Sequence, residues 1–237
     1  TLTAYWLADK LNAKNIVVAV PSLNLIRQCL RTWAIESTAD KKKVNWIAVC
    51  SDKKVKDLNK DDFQVLVRDL GIRARTDIGE ITEWLKRKKT GRNIVFTTYD
   101  SGPNLAKASK KAKFKFDVGI FDEAHHTAGA VDTQSSTLLF EKYINISKRV
   151  FLTATERKYR GQSDEIICMD DEDIYGERCH YLSFKKALEY DDPPILTDYE
   201  IILAYTPKKE ISSLIKKNLL IKPKTGKWNS VMEARAL

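Results

Sequence analysis

Phe116-Asp117-Val118-Gly119-Ile120-Phe121-Asp122-Glu123-Ala124-His125-His126 runs from an almost unbroken apolar block straight into two carboxylates and two imidazoles. Such a block reads as a strand over Asp117–Phe121, buried on both faces as in a parallel sheet. Comparable runs lie at Ile16–Val20, closed by Pro21, and at Val44–Val49, Asn93–Thr98 and Arg149–Thr153. Helical spacing falls between them. Leu2, Tyr5, Trp6 and Leu11 mark a helix within residues 1–13. Ser22 caps a helix through Glu36 whose inner face carries Leu25, Ile26, Cys29, Leu30 and Trp33. Asp77 with Glu80 has the spacing of a capping arrangement for a helix through Lys88. The stretch 52–75 reads as an edge strand plus a loop, residues 107–115 as a Lys-rich connector, and Gln134–Tyr143 as a further helix.

Short strands alternating with helices predict βαβ units, hence an α/β fold with a doubly wound, mostly parallel sheet flanked by helices. Ligands in such sheets sit at the carboxyl ends of the strands. Three strand ends are polar: Pro21-Ser22, Thr97-Thr98-Tyr99-Asp100 and Asp122-Glu123-Ala124-His125. All three are expected on one edge. Beyond Glu156 the pattern changes, with an acidic run at 170–173, a break at Asp191-Asp192-Pro193-Pro194, a strand at Thr197–Tyr205 and a helix from about Lys208 to Leu220.

The length, 237 residues, suits one or two domains at about 150 residues each. Hydrophobic residues make up 43% and charged ones 31%, which supports a packed core and excludes a disordered chain. Only 15 residues are Gly or Pro, 9 and 6 respectively, which excludes collagen-like and low-complexity chains. No window approaches a membrane span, and TLTAYWLADKL lacks the basic start of a secretory signal. Cys29, Cys50, Cys168 and Cys179 form no C-x-x-C pair, so a reducing, cytoplasmic setting is expected. The net charge of +9 is uneven: residues 1–116 carry 24 Lys and Arg against 12 Asp and Glu, and residues 117–237 carry 17 against 20. A basic half is an electrostatic footprint for a polyanion, or a surface that keeps the domain soluble.

Two carboxylates after a buried strand suit a magnesium–phosphate site, where one holds the metal's water shell and the other polarises an attacking water. Acids that merely start the next helix are the structural alternative. A metallohydrolase using Asp122, His125 and His126 as ligands is a further alternative, although adjacent His residues on a helix are expected to diverge.

D-E-A-H at 122–125, followed about 30 residues on by Leu152-Thr153-Ala154-Thr155, resembles motifs II and III of the superfamily 2 helicases. Val20-Pro21-Ser22-Leu23, with Gln28 further along, resembles their motif Ia, and Val95–Ser101 resembles motif Ib. Residues 174–205 resemble the stretch leading out of the first motor domain in restriction-enzyme-type helicases. The resemblance implies a RecA-like fold that uses ATP and Mg2+. It implies that Asp122 holds the metal through water, that Glu123 is the general base, and that His125 contacts the nucleotide and the second motor domain. Thr153 and Thr155 are implied to couple the nucleotide to the nucleic-acid path. Pro21, Ser22, Thr97, Thr98 and Ser101 are implied to touch the phosphate backbone of one strand. Tyr99 is a candidate for stacking on a base or for core packing, and His126 has no implied role.

The family's G-x-x-x-x-G-K-S/T loop has no match among the glycines. Thr1-Leu2-Thr3-Ala4 resembles the residues that begin at the hydroxyl of that loop, so Thr1 is expected to be a would-be metal ligand and the chain a fragment cut there. The expected domains are a first RecA-like domain over 1–195 and, over 196–237, a linker strand with the start of a second motor domain. No arginine-bearing motif VI follows Tyr205. The fragment alone is therefore expected to be inactive. Expected partners are nucleic acid, with DNA favoured, the rest of the parent chain, and restriction or methylation subunits. The competing expectation is a non-catalytic, helicase-like scaffold that binds nucleic acid.

Overall fold

The computed structural model describes residues 1–51, 70–71, 74–131, 133–159, 166–190 and 195–200. Two compact units are distinguished, Thr1–Arg178 and Cys179–Leu237. The first unit is built on strands β1 (Asn15–Val20), β2 (Val44–Val49), β3 (Ala74–Arg75), β4 (Arg92–Thr98), β5 (Phe116–Asp122) and β7 (Ile146–Leu152). They form one sheet in the order β3-β2-β4-β1-β5-β7, with every pairing parallel. Two short strands, β6 (Gly129–Ala130) and β8 (Ile166–Ile167), pair antiparallel beside it.

A parallel sheet with crossover helices on both faces must bury both faces, and strand alternation divides the core accordingly. Ile16, Val18, Val20, Ala48, Ile94, Phe96, Val118 and Ile120 face α1 (Leu2–Lys10) and α2 (Leu23–Ala39). Val17, Ala19, Ile47, Val49, Val95 and Phe121 face α3 (Ile78–Lys86) and α4 (Gly102–Ala112). Under α1 and α2 the rings of Tyr5, Trp33, Phe96 and Trp46 follow one another at centroid separations of 5.4, 5.9 and 5.9 Å. Each such pair contributes about 0.5–1.5 kcal/mol beyond its buried area. Gly119 leaves room on the opposite face: a Cβ there would lie 3.0 Å from Ile146 Cγ2 and 3.1 Å from Phe121 Cε2.

The expected caps form. Ser22 Oγ accepts from the Leu25 amide at 3.4 Å and Asp77 Oδ1 from the Glu80 amide at 2.9 Å. The helix that follows Asp77 ends at Lys86, not Lys88, and β7 begins at Ile146, three residues before the expected Arg149. In α1 the buried residues are Ala4, Tyr5 and Ala8, while Leu2, Trp6 and Leu11 are exposed. The Lys-rich connector is a helix in its first part, α4, which buries Leu105, Ala106, Ala108 and Ser109. Gln134–Tyr143 is no α-helix but a series of turns around the 3-10 segment Thr137–Leu139. Ser136 Oγ donates to Thr133 O at 3.1 Å and Thr137 Oγ1 to the same carbonyl at 3.4 Å, the local competition that disfavours helix. Of the stretch 52–75, residues 52–69 and 72–73 lie outside the described residues, and β3 is the strand found.

The second unit is described over 179–190 and 195–200. Its helix α6 (Phe184–Leu188) is capped by Ser183 Oγ, which accepts from the Lys186 amide at 3.1 Å. Phe184 and Tyr199 meet edge to face at 5.3 Å. Residues 197–200 are not strand, contrary to the expectation for Thr197–Tyr205; the remainder of that expectation and the helix at 208–220 lie outside the described residues. Among the described residues no helix is long and apolar enough to cross a membrane.

Candidate functional site

Register brings the polar strand ends together. Val20 pairs with Thr98, Ala19 with Phe121 and Asp122 with Leu152. The carboxyl ends of β4, β1, β5 and β7 therefore stand side by side at about 4.8 Å per strand. Along one edge this sets Thr97–Ser101, Pro21-Ser22, Asp122-Glu123 and Thr153–Thr155 in a row. The expected convergence is what the sheet produces.

The turn after β5 is tight. Glu123 adopts φ +52°, a left-handed conformation that is uncommon for a residue with a side chain. Its amide donates to Asp122 Oδ1 at 3.1 Å, and its carbonyl accepts from the His126 amide at 3.0 Å. The chain then enters the 3-10 segment Ala124–Thr127. His125 Nδ1 lies 3.0 Å from Thr153 Oγ1, 3.3 Å from Thr155 Oγ1 and 3.3 Å from Glu123 Oε2. Thr153 Oγ1 spends its one hydrogen on Thr155 O at 3.1 Å and accepts from the Thr155 amide at 3.2 Å. Towards the imidazole it can only accept, which assigns the proton to Nδ1. One imidazole thus ties the β5 end to the β7 end.

Two tyrosines, one buried and one half-buried, brace this turn from behind. Tyr99 is 3% exposed and its hydroxyl donates to Asp122 O at 2.7 Å. Burial first, then the charges of Asp122, Tyr175 and Glu123, hold the Tyr99 phenol well above its usual range. Tyr175, on the short helix α5 (Glu172–Tyr175), places its hydroxyl 2.9 Å from Thr127 Oγ1, which itself donates to Ala124 O at 2.7 Å. Burial raises the Tyr175 phenol to about 12, and its ring meets Phe151 edge to face at 4.8 Å.

Thr1 and Asp122 both act on Cys29. Thr1 Oγ1 lies 3.9 Å from Cys29 Sγ. Burial raises the Cys29 thiol, the Thr1 contact opposes that, and the nearby Asp122 carboxylate raises it further. The Thr1 hydroxyl beside this thiol and the Asp122 carboxylate at the end of β5 are hard oxygen donors. They fit Mg2+, which keeps most of its waters and shares its remaining positions with phosphates. Among the described residues no three His, Cys, Asp or Glu side chains converge as a metal-ligand set, so the metallohydrolase alternative lacks its site. The rings of His125 and His126 do not diverge as expected; their centroids are 4.5 Å apart.

The candidates for strand contact divide. Pro21 and Ser22 are half-buried at the edge, and Ser22 Oγ, used there only as a cap acceptor, keeps its hydrogen. Thr98 Oγ1 donates to Ser101 Oγ at 3.1 Å, and both residues keep 8% exposure. Thr97 must be corrected: it is 0% exposed and its hydroxyl is held by Val49 O and Thr98 O. Tyr99 is likewise core, and its ring has no face open to a base. Sequence reasoning missed Cys29, Thr127 and Tyr175 as parts of the site. The aromatic Tyr175 of the IYGERC segment was a usable signal, whereas nothing local marks Cys29.

Residues 1–158 match the family described as Type III restriction enzyme, res subunit. No curated protein matches significantly. Among solved structures, a nuclease-deletion mutant of the Type ISP restriction-modification enzyme LlaGI, in complex with a DNA substrate mimic, is 28% identical with a TM-score of 0.63, over 84% of this chain and 15% of that one. The ATP-dependent Type ISP restriction-modification enzyme LlaBIII bound to DNA is 27% identical with a TM-score of 0.67, over 92% of this chain and 15% of that one. The chain thus spans about 15% of the length of either enzyme.

Proposed function

The chain belongs to the family of type III restriction enzyme res subunits, as a RecA-like, helicase-type motor domain, and from this we propose that it hydrolyses ATP to drive movement along DNA. The observation that carries the reading is the His125 bridge. Its Nδ1 lies within 3.0–3.3 Å of Thr153, Thr155 and Glu123, so the carboxylate that acts on water and the loop at the end of β7 share one side chain.

In this reading Glu123 accepts the proton of a water as that water attacks the γ-phosphorus, and the bond from that phosphorus to the β,γ-bridging oxygen breaks with ADP as the leaving group. The left-handed backbone at Glu123 turns its carboxylate, 41% exposed, out from the strand end. Asp122 and Thr1 would hold Mg2+, which when bound would supply neutralisation of charge on the phosphates. Loss of the γ-phosphate changes what faces Glu123 and His125, and the imidazole passes the change to Thr153 and Thr155. Pro21, Ser22, Thr98 and Ser101 track the phosphates of one DNA strand through hydroxyls and backbone groups, contacts that position the strand without reading its sequence. The partners we infer are the rest of a larger cytoplasmic polypeptide, including a second motor domain, and restriction or methylation subunits.

The test is Glu123→Gln in the longest natural polypeptide containing these residues. DNA-stimulated ATP hydrolysis falls by about 10²–10⁴-fold, the range for loss of a general base. Binding of a fluorescent ATP analogue stays within about threefold, since the amide keeps the shape of the side chain. Turnover unchanged by the substitution removes Glu123 as the base, and no turnover in the unaltered protein favours the scaffold reading.

A further inference from the structure

The sheet has a second edge, and its chemistry is the opposite of the first. Each strand of β2, β4, β1 and β5 is entered through a turn rich in cations: Lys41-Lys42-Lys43, Arg87-Lys88-Lys89 leading to Arg92, Lys14, and Lys113-Phe114-Lys115. Backbone bonds stitch these turns into one row. The Arg92 amide donates to Lys43 O at 2.9 Å and the Asn93 amide to Lys14 O at 2.7 Å. Asn15 Nδ2 donates to Lys115 O at 3.3 Å. With neighbouring strands about 4.8 Å apart, Lys43 to Lys115 spans roughly 14 Å. That matches about four phosphates of one strand of a duplex at about 3.4 Å of axis each.

The charges are available. Asp9 and Asp40 pair with Lys42, and Asp9 also holds Arg92 at 2.7 Å. Lys14, Lys41, Lys43, Arg87, Lys88, Lys113 and Lys115 are exposed and have no ion-pair partner among the described residues. Asp117, the acid at the start of β5, has its Oδ2 occupied by the Lys14 and Asn15 amides, both at 2.8 Å. Among the described residues the large apolar side chains exposed near these turns are Leu11 and Tyr143, against seven exposed Lys and Arg. Protein interfaces are depleted in Lys and anchored by aromatic residues, whereas phosphate contacts are made by Lys and Arg. The composition therefore favours nucleic acid over an acidic protein.

We propose that this amino-terminal edge is a second DNA-binding surface, which holds the backbone of a duplex without regard to sequence. It is separate from the strand contacts at the carboxyl edge and stands even if the ATPase reading fails. The test replaces one lysine from each turn, Lys14, Lys43, Lys88 and Lys115, with Gln in the 237-residue chain. A fluorescent random-sequence 30-bp duplex is titrated at several salt concentrations, and folding is checked by circular dichroism. Each lost phosphate contact lowers the slope of log K against log salt by about 0.9. The fourfold variant is therefore expected to lose about 3.6 of slope and more than tenfold in affinity at low salt.

A control of Arg27→Gln with Arg31→Gln, on the exposed face of α2, leaves the slope within about 0.5. A variant that binds as the unaltered chain does, or a control that loses as much per charge, overturns the proposal. So does loss of polyglutamate binding with duplex binding intact, which would assign the edge to an acidic protein. Ser22→Ala with Ser101→Ala, assayed on single strands, reports separately on the carboxyl edge.

Discussion

Removing the hydroxyl of Tyr99 tests the site at its foundation. The Tyr99 hydroxyl reaches Asp122 O at 2.7 Å from a position 3% exposed. Tyr99→Phe keeps the ring and its packing and leaves a buried carbonyl short of a donor, at a cost of about 1–3 kcal/mol. At about 2 kcal/mol, and 2–4 °C per kcal/mol for a chain of this size, Tm falls by about 4–8 °C. Urea unfolding followed by circular dichroism should show a lower midpoint with an unchanged slope. Alkaline pH supplies a second readout. The folded-state phenol is held well above its ordinary value of 10.0, so the tyrosine's contribution is complete below about pH 10 and is lost as pH rises further. The gap between the two proteins should therefore narrow above pH 10. Tyr175→Phe should cost less, about 1 kcal/mol, because Thr127 Oγ1 keeps its bond to Ala124 O. If Tyr99→Phe lies within about 0.3 kcal/mol of the unaltered chain, the bracing of the Asp122 turn is wrong, whatever the variant does to DNA binding.

Three other perturbations are decisive on different parts of the molecule. Gly91→Ala sets a Cβ 2.1 Å from Lys43 O at a backbone φ of +90°, so thermal unfolding should drop by at least the equivalent of about 2 kcal/mol; a neutral result would contradict this turn. Burial first, then the charge of Arg87, pulls the Lys89 ammonium down to about 8, against about 10.4 in an unfolded chain. The unfolded state therefore binds more protons between those values, and stability should rise from pH 8 to 9.5. Urea midpoints across that interval should flatten in Lys89→Met, and equal slopes in the two proteins would refute the assignment. In the longest natural polypeptide, His125→Ala should leave ATP and DNA binding within about threefold and abolish the stimulation of hydrolysis by DNA; stimulation retained within twofold would remove His125 as the link.

What the sequence made legible follows the strength of its periodic signals. The apolar runs placed β1, β2, β4 and β5 because a strand buried on both faces has almost no choice of residues. Their polar ends then located the site, since a parallel sheet gathers all carboxyl ends on one edge. Helix α4 stayed hidden because its buried face, apart from Leu105, is made of small residues, Ala106, Ala108 and Ser109, interleaved with Lys107 and Lys110. Pro103 in its first turn was the missed signal. The opposite error is the helix expected at Gln134–Tyr143. Leu138 instead packs against Gly102, where a Cβ would meet its Cγ at 3.0 Å. A tertiary contact of that kind leaves no local trace. Thr97 and Tyr99 failed as strand contacts for a related reason: a motif gives the residue type at a strand end, while burial is set by what packs over it.

The charge of the first half was legible as a number but not as a place. Helix dipoles account for part of it. Lys10 in α1, Lys86 in α3, and Lys110 and Lys111 in α4 sit in last turns, where cations gain about 0.3–1 kcal/mol from exposed carbonyls. That benefit fades within one turn. Lys14 and Lys43 lie four residues past the ends of their helices, Leu2–Lys10 and Leu23–Ala39, and Lys115 three past Gly102–Ala112, at the mouths of strands, which carry little dipole of their own. Stability of the fold gives no reason for cations there, and like charges in a row repel. Asp9 and Asp40 answer only Lys42 and Arg92, and a surface that tolerates the remaining repulsion is best explained by anions supplied from outside. For this reason the strand-leading lysines, and not those of the helix ends, decide whether the amino-terminal edge meets DNA.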